Sequence, residues 1–167
     1  MRLFFCLVAC AATLMAAGDL SGRRAPGFSL VDVNFTQHDL QDYRGKVVLV
    51  DFIQTSCPHC GELSNILQEV VAKYGSKVAV LSIVNPPDTT ATVKQYVAQH
   101  KLTYPLLFDC GQVAASYMKA PSFDVPHLFI VDAQGMIQSD YGYSPFNRGI
   151  FEGRDLFAEL DRMLKSR

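Results

Sequence analysis

Two cysteines with two residues between them, in Cys57-Pro58-His59-Cys60, are the part of this chain whose types and spacing can do chemistry. Thiols at that spacing can close a disulfide on themselves and open it again. Val47 to Phe52 is an almost unbroken apolar, β-branched run that predicts a buried strand, and Leu63, Ile66, Leu67, Val70, Val71 and Tyr74 then recur at helical spacing. The pair therefore falls at a strand-to-helix junction. There the unpaired backbone N–H groups and the positive end of the helix dipole favour a thiolate at Cys57, while Cys60, one turn in, is expected to be buried and harder to ionise. A structural disulfide and half of a zinc site are the competing readings. Zinc asks for four ligands, usually through a second closely spaced Cys or His pair, and the sequence offers none.

The elements that must hold the dithiol follow from the rest of the pattern. Val78 to Val84 predicts a second buried strand, followed by Asn85-Pro86-Pro87-Asp88 and a helix carrying Val93, Tyr96, Val97 and His100 on one face. Leu106 to Phe108 predicts a third strand, Gln112 to Met118 a short helix and Leu128 to Val131 a fourth strand. Asp132-Ala133-Gln134-Gly135 then turns into an antiparallel strand near Met136 to Tyr141, and Leu156, Leu160, Met163 and Leu164 stripe a last helix. Such alternation implies an α/β fold with a mainly parallel sheet covered on both faces. In sheets of that kind the site lies beyond the carboxyl ends of the strands, where Cys57 falls.

With 167 residues, 49% of them hydrophobic, the chain can bury one core, so a single domain is expected. The front of the chain is different. Leu3 to Ala17 is apolar except for Thr13, follows a lone Arg2 and ends in small residues, so residues 1–18 are expected to be a secretory signal peptide. Its 15 apolar-rich residues fall short of the roughly 20 that span a bilayer, which favours cleavage over a permanent anchor. Leu7-Val8-Ala9-Cys10 has some look of a lipoprotein cleavage box, although the apolar run continues past Cys10. Removing this segment costs only Arg2 among the charges, leaving 14 basic against 16 acidic residues and giving no sign of nucleic acid as a partner. Export leaves Cys57, Cys60 and Cys110 in a compartment where disulfides persist. Cys110 is expected to be a small buried thiol, with a regulatory or resolving role as the alternative.

Ala25-Pro26-Gly27-Phe28-Ser29-Leu30, the run Leu40-Gln41-Asp42-Tyr43-Arg44-Gly45-Lys46-Val47-Val48-Leu49-Val50, the dithiol, and Val125-Pro126 at the head of the fourth strand together resemble the TlpA/ResA type of thiol-disulfide oxidoreductase, within the redoxin or AhpC/TSA-like superfamily. The resemblance covers about residues 25 to 165. It implies a thioredoxin-like fold: a central mixed sheet flanked by helices, with an N-terminal hairpin and an extra strand-helix insertion. It also implies an enzyme that needs no cofactor or metal and exchanges a Cys57–Cys60 disulfide with protein thiols, helped by a redox partner protein. The location implied is the bacterial periplasm or another extracytoplasmic space, with membrane attachment only through an uncleaved N-terminal segment.

Within that resemblance Asp51, six positions before Cys57, takes the place of a buried acid, and its raised pKa would suit proton transfer with Cys60. The competing reading is a strand-end acid facing water. Pro126 takes the place of a cis-proline facing the dithiol, the Val125 backbone would pair with substrate, and His127 follows where relatives often carry Thr. Two departures stand out. The chain has no tryptophan beside the dithiol, and its Pro58-His59 dipeptide resembles the oxidase DsbA, so His59 is expected to tune the pair toward disulfide donation. An alternative from another class is a copper-handling module resembling the Sco chaperones, with Cys57, Cys60 and a nearby histidine as ligands, His127 joining His59 and the two thiols at such a site. Those proteins, however, carry three residues between their cysteines. A peroxidase is weaker still, since Gln54 stands where the peroxiredoxin pattern has Thr or Ser. His38 and His100 are given no role.

Overall fold

The computed structural model describes residues 20–118 and 124–165, so residues 1–18, expected to be a signal peptide, and with them Cys6 and Cys10, lie outside the described residues. A hairpin of β1 (Ser29–Val31) and β2 (Gln37–Asp39) precedes β3 (Val47–Ile53), α1 (Pro58–Tyr74) and β4 (Val78–Val84). Next come α2 (Thr90–His100), β5 (Leu106–Phe108), α3 (Gln112–Tyr117), β6 (His127–Val131), β7 (Ile137–Gly142), α4 (Arg148–Phe151) and α5 (Arg154–Lys165). The main sheet runs β5-β4-β3-β6-β7. Its β3–β4 and β4–β5 pairs are parallel, whereas β3–β6 and β6–β7 are antiparallel. The alternation of strands and helices suggested a mainly parallel sheet; half the ladders are antiparallel instead. A helix before a strand does not by itself dictate the direction in which that strand joins the sheet.

Both faces of β3 are covered, which is why its sequence is a continuous apolar run and not an alternating one. Val47, Leu49 and Ile53 face a cluster built with Cys60, Leu63 and Leu67 of α1, Val93 and Tyr96 of α2, and Leu156 and Leu160 of α5. Val48, Val50 and Phe52 face the other side, toward Leu20, Phe28, Leu40, and Ala114 and Tyr117 of α3. Each fully buried Leu, Ile or Phe in these clusters contributes about 1.5–3 kcal/mol by leaving water. The described residues ahead of 25 pack on the fold as well. Leu20 is buried, the Gly22 N–H donates to Ile137 O at 2.7 Å and the Ala25 N–H donates to Gly135 O at 2.9 Å, so this segment extends the sheet edge beside β7.

No helix among the described residues is long and apolar enough to cross a membrane.

Cys110 departs from the buried thiol expected of it: it is exposed. The apolar run through Phe108 ends at Asp109, whose carboxylate accepts from the N–H groups of Val113 at 3.2 Å and Ala114 at 2.9 Å and so caps α3. Cys110 is turned outward by that cap. Cys110→Ala is expected to leave exchange activity unchanged and to shift stability by less than about 0.5 kcal/mol, as for other exposed positions. Urea unfolding and a turnover assay check both, and lost turnover in a folded variant would give the thiol a resolving role.

Candidate active site

Cys57 is the N-cap of α1 and Pro58 its first helical residue, where the missing N–H has no acceptor to lose. The turn entering the helix is closed by the Cys57 N–H donating to Gln54 O at 3.0 Å. The Cys60 N–H donates to Cys57 Sγ at 3.4 Å, so a free donor of the first turn points at the sulfur. Cys57 is half-buried; Cys60 is fully buried. Both thiols are free in this structure. Burial above all, then the hydrogen bond with Cys57 and the charge of Asp51, pushes the Cys60 thiol far above its ordinary range.

Asp51 lies on the same face of β3 as Leu49 and Ile53, because side chains alternate along a strand. It is fully buried and does not face water. Its register partner on β4 is Ser82, whose hydroxyl donates to Oδ2 at 3.0 Å, while Oδ1 has no hydrogen-bond partner among the described residues. Burial in this apolar surround lifts the carboxyl from 3.8 to about 7, only partly opposed by the Ser82 hydroxyl. An acid poised near neutral pH, with one oxygen open and its charge felt at Cys60, can accept or return a thiol proton.

On the other side of the dithiol, the Cys57 thiol lies 3.8 Å from Val125 O, and the Val125–Pro126 bond is cis. Val125 is half-buried and Pro126 buried. His127 points away into the second core face. Its Nε2 is 2.6 Å from Asp140 Oδ1, and its ring stacks on Phe129 with centroids 4.6 Å apart. Asp140 Oδ2 also accepts from the Leu20 N–H at 3.1 Å, tying this pair to the N-terminal segment.

The His59 ring stacks on Tyr143 at 4.4 Å, and its Nδ1 lies 3.0 Å from Glu62 Oε2. Any charge on the imidazole is therefore shared with a carboxylate before it reaches Cys57. His59→Thr is expected to move the Cys57/Cys60 potential to a more negative value by about 30 mV, equivalent to about 1.4 kcal/mol of lost stabilisation of the reduced form in a two-electron couple. A glutathione redox titration measures it, and an unchanged potential would make His59 a bystander.

Two features were not legible in the sequence. Asp88, 33 residues from Thr55, accepts from the Thr55 N–H at 2.9 Å, from the Thr55 hydroxyl, and from the Thr92 hydroxyl at 3.2 Å. It pins the loop before Cys57 to the reciprocally capped start of α2. Asn85-Pro86-Pro87-Asp88 is recognisable as a turn, but nothing local marks its acid as the partner of Thr55. His100, given no role from sequence, lines a groove beside Cys57 of about 280 Å³ together with Gly61, Asn65 and Tyr96. A side chain at Gly61 would come within 3.0 Å of the His100 ring, so the glycine is what lets α2 close on α1 there.

Among the described residues no three His, Cys, Asp or Glu side chains converge to hold a metal. With His59 turned to Glu62 and His127 to Asp140, the copper alternative lacks a ligand set and is not favoured.

A model of the AhpC/TSA family matches residues 21–140, from the segment ahead of the hairpin into β7. The thioredoxin-like protein YneN of Bacillus subtilis (strain 168) is 29% identical over 123 residues, covering 72% of this chain and 71% of its own length. The thiol-disulfide oxidoreductase ResA of Geobacillus kaustophilus (strain HTA426) is 30% identical over 118 residues, covering 70% of this chain and 66% of that relative. The chain thus spans about two thirds of the length of ResA. Among solved structures, the thioredoxin domain of a thiol-disulfide oxidoreductase from Bacteroides vulgatus superposes with a TM-score of 0.68 at 20% identity, over 83% of this chain and 96% of that one. At such identity the likeness is one of fold. Since the family match takes in the hairpin, the dithiol turn and the antiparallel β6–β7 ladder alike, the chain belongs to the AhpC/TSA family and has a thioredoxin-like fold.

Proposed function

We propose that this protein is an exported thiol-disulfide oxidoreductase that exchanges its Cys57–Cys60 pair with protein substrates through a mixed disulfide. The observation that carries this reading is the asymmetry of the pair: Cys57 is reachable and receives an N–H at the helix start, while Cys60 is fully buried and hard to ionise, near an acid poised at neutral pH. In the reducing direction the Cys57 thiolate attacks a substrate disulfide, forms the mixed disulfide and releases one substrate thiolate. Cys60 then gives up its proton, with Asp51 as the acceptor, and attacks the Cys57 sulfur. The second substrate thiolate leaves, and two electrons have passed to the substrate as Cys57–Cys60 closes. A reduced partner protein reopens it; the oxidising direction is the same sequence run backwards. Val125 offers backbone to an extended substrate segment beside Cys57, and His127 holds the strand behind it.

Export is inferred from the apolar run of Leu3 to Ala17, which places the enzyme in the periplasm or another extracytoplasmic compartment. The names of YneN and ResA support the exchange activity, as does the thioredoxin-like fold. The test is turnover of a disulfide-bonded peptide with a dithiol as electron source, run beside a copper titration. Catalysed reduction without stoichiometric copper binding is expected; tight copper binding by an exchange-inactive protein would overturn the proposal.

A further inference from the structure

The loop between β7 and α4 passes over the dithiol end of the molecule. The Tyr143 N–H donates to Pro126 O at 3.3 Å, and the Tyr143 ring stacks on His59 at 4.4 Å and meets Phe151 edge-on at 5.2 Å. Three residues on, a reach of at most about 11 Å, Phe146 is fully exposed. Its turn is firmly built. Asn147 Oδ1 accepts from the Ser144 N–H at 2.9 Å, and Asn147 Nδ2 donates to Gly142 O at 2.5 Å. The Asn147 N–H in turn donates to Ser144 O at 3.3 Å. A lone exposed phenylalanine is ordinary, and Phe35 in the β1–β2 turn is a second one. Phe146 differs because its turn is continuous with the two residues that flank Cys57 on either side, His59 and Pro126, through Tyr143.

We infer that Tyr143 and Phe146 form a substrate subsite that takes an aliphatic or aromatic side chain next to the reacting cysteine of an extended protein segment. The inference rests on the exchange activity proposed above and narrows its substrates. Tyr143 ties this turn to His59 and Pro126, on either side of Cys57, so on this inference the side chains beside the reacting sulfur of a segment lying along Val125 are the ones that meet it. An apolar side chain placed there removes the phenyl ring of Phe146 from water, which a polar one does not.

The test compares two peptides, each closed by one disulfide and differing only beside the reacting cysteine: Leu and Phe in one, Ser and Asn in the other. The protein as described is expected to favour the apolar peptide about tenfold in kcat/KM. Phe146→Ser should bring that ratio close to one, while Phe35→Ser should keep it. A ratio near one in the unaltered protein, or an undiminished ratio in Phe146→Ser, overturns the subsite alone. Turnover of neither peptide overturns the exchange activity and the subsite with it.

Discussion

Cys57→Ser is expected to reduce thiol-disulfide exchange to the uncatalysed background, whereas Cys60→Ser should keep the first step and accumulate mixed disulfides with substrate. The two thiols are chemically distinct because the fold treats them differently. Cys57 is half-buried at the head of α1, with the Cys60 N–H aimed at its sulfur. Cys60 is sealed into the core with Leu63 and Leu67, where burial and the neighbouring Cys57 and Asp51 hold its proton on. Only a thiolate attacks a disulfide, so the first bond to substrate forms at Cys57 and Cys60 resolves it. Intact-mass analysis after incubation with a disulfide peptide reads the adduct directly. Faster alkylation of Cys60 than of Cys57 in the reduced protein would reverse the assignment.

Asp51→Asn is expected to stabilise the reduced protein at alkaline pH while slowing its chemistry. The folded carboxyl is lifted to about 7 by burial, whereas the unfolded one titrates near its ordinary value of 3.8. Between those values the folded state holds the extra proton, so stability falls as pH rises from about 4 and levels off above 7. Three pH units at about 1.4 kcal/mol each set an upper bound of about 4 kcal/mol on this loss. Asn carries no charge at any pH, so the variant and the parent should be similarly stable near pH 4 and diverge in the variant's favour at pH 8, by no more than that bound. Urea unfolding at both values measures the divergence, and parallel curves would mean that Asp51 does not titrate in this window. Loss of the proton acceptor should also slow closure of the disulfide by about 100-fold, the usual weight of a positioned base. Stopped-flow measurement of mixed-disulfide decay checks that step.

Much of this site could be read from short stretches. The apolar run of β3, the stripe of α1 and the cysteine spacing between them each occupy a few residues, and they placed Cys57 at the head of a helix. The family pattern suggested a buried acid at Asp51. Burial of both faces of β3 is what makes an idle carboxylate there costly, and alternation along the strand puts Asp51 on the face shared with Cys60. Cys110 was misread because composition alone makes a free cysteine look like a core residue. Its exposure depends on Asp109 capping α3, a contact made by neighbouring backbone and not recorded in hydropathy.

By itself, then, the sequence determined the elements and the chemistry: strands from continuous apolar runs, helices from their stripes, and redox use from two thiols at a helix start. Those are local properties, set by side chains within one or two turns of each other. The tertiary structure alone decided what surrounds the dithiol. It joined β6 antiparallel to β3 and so brought Val125 to 3.8 Å from Cys57, it tied Thr55 to Asp88, it laid His100 against Gly61, and it folded Tyr143 onto His59. Each of these joins residues more than 30 positions apart. Such pairings are chosen by packing and hydrogen-bond satisfaction summed over the whole core, and no local stretch of sequence contains that sum.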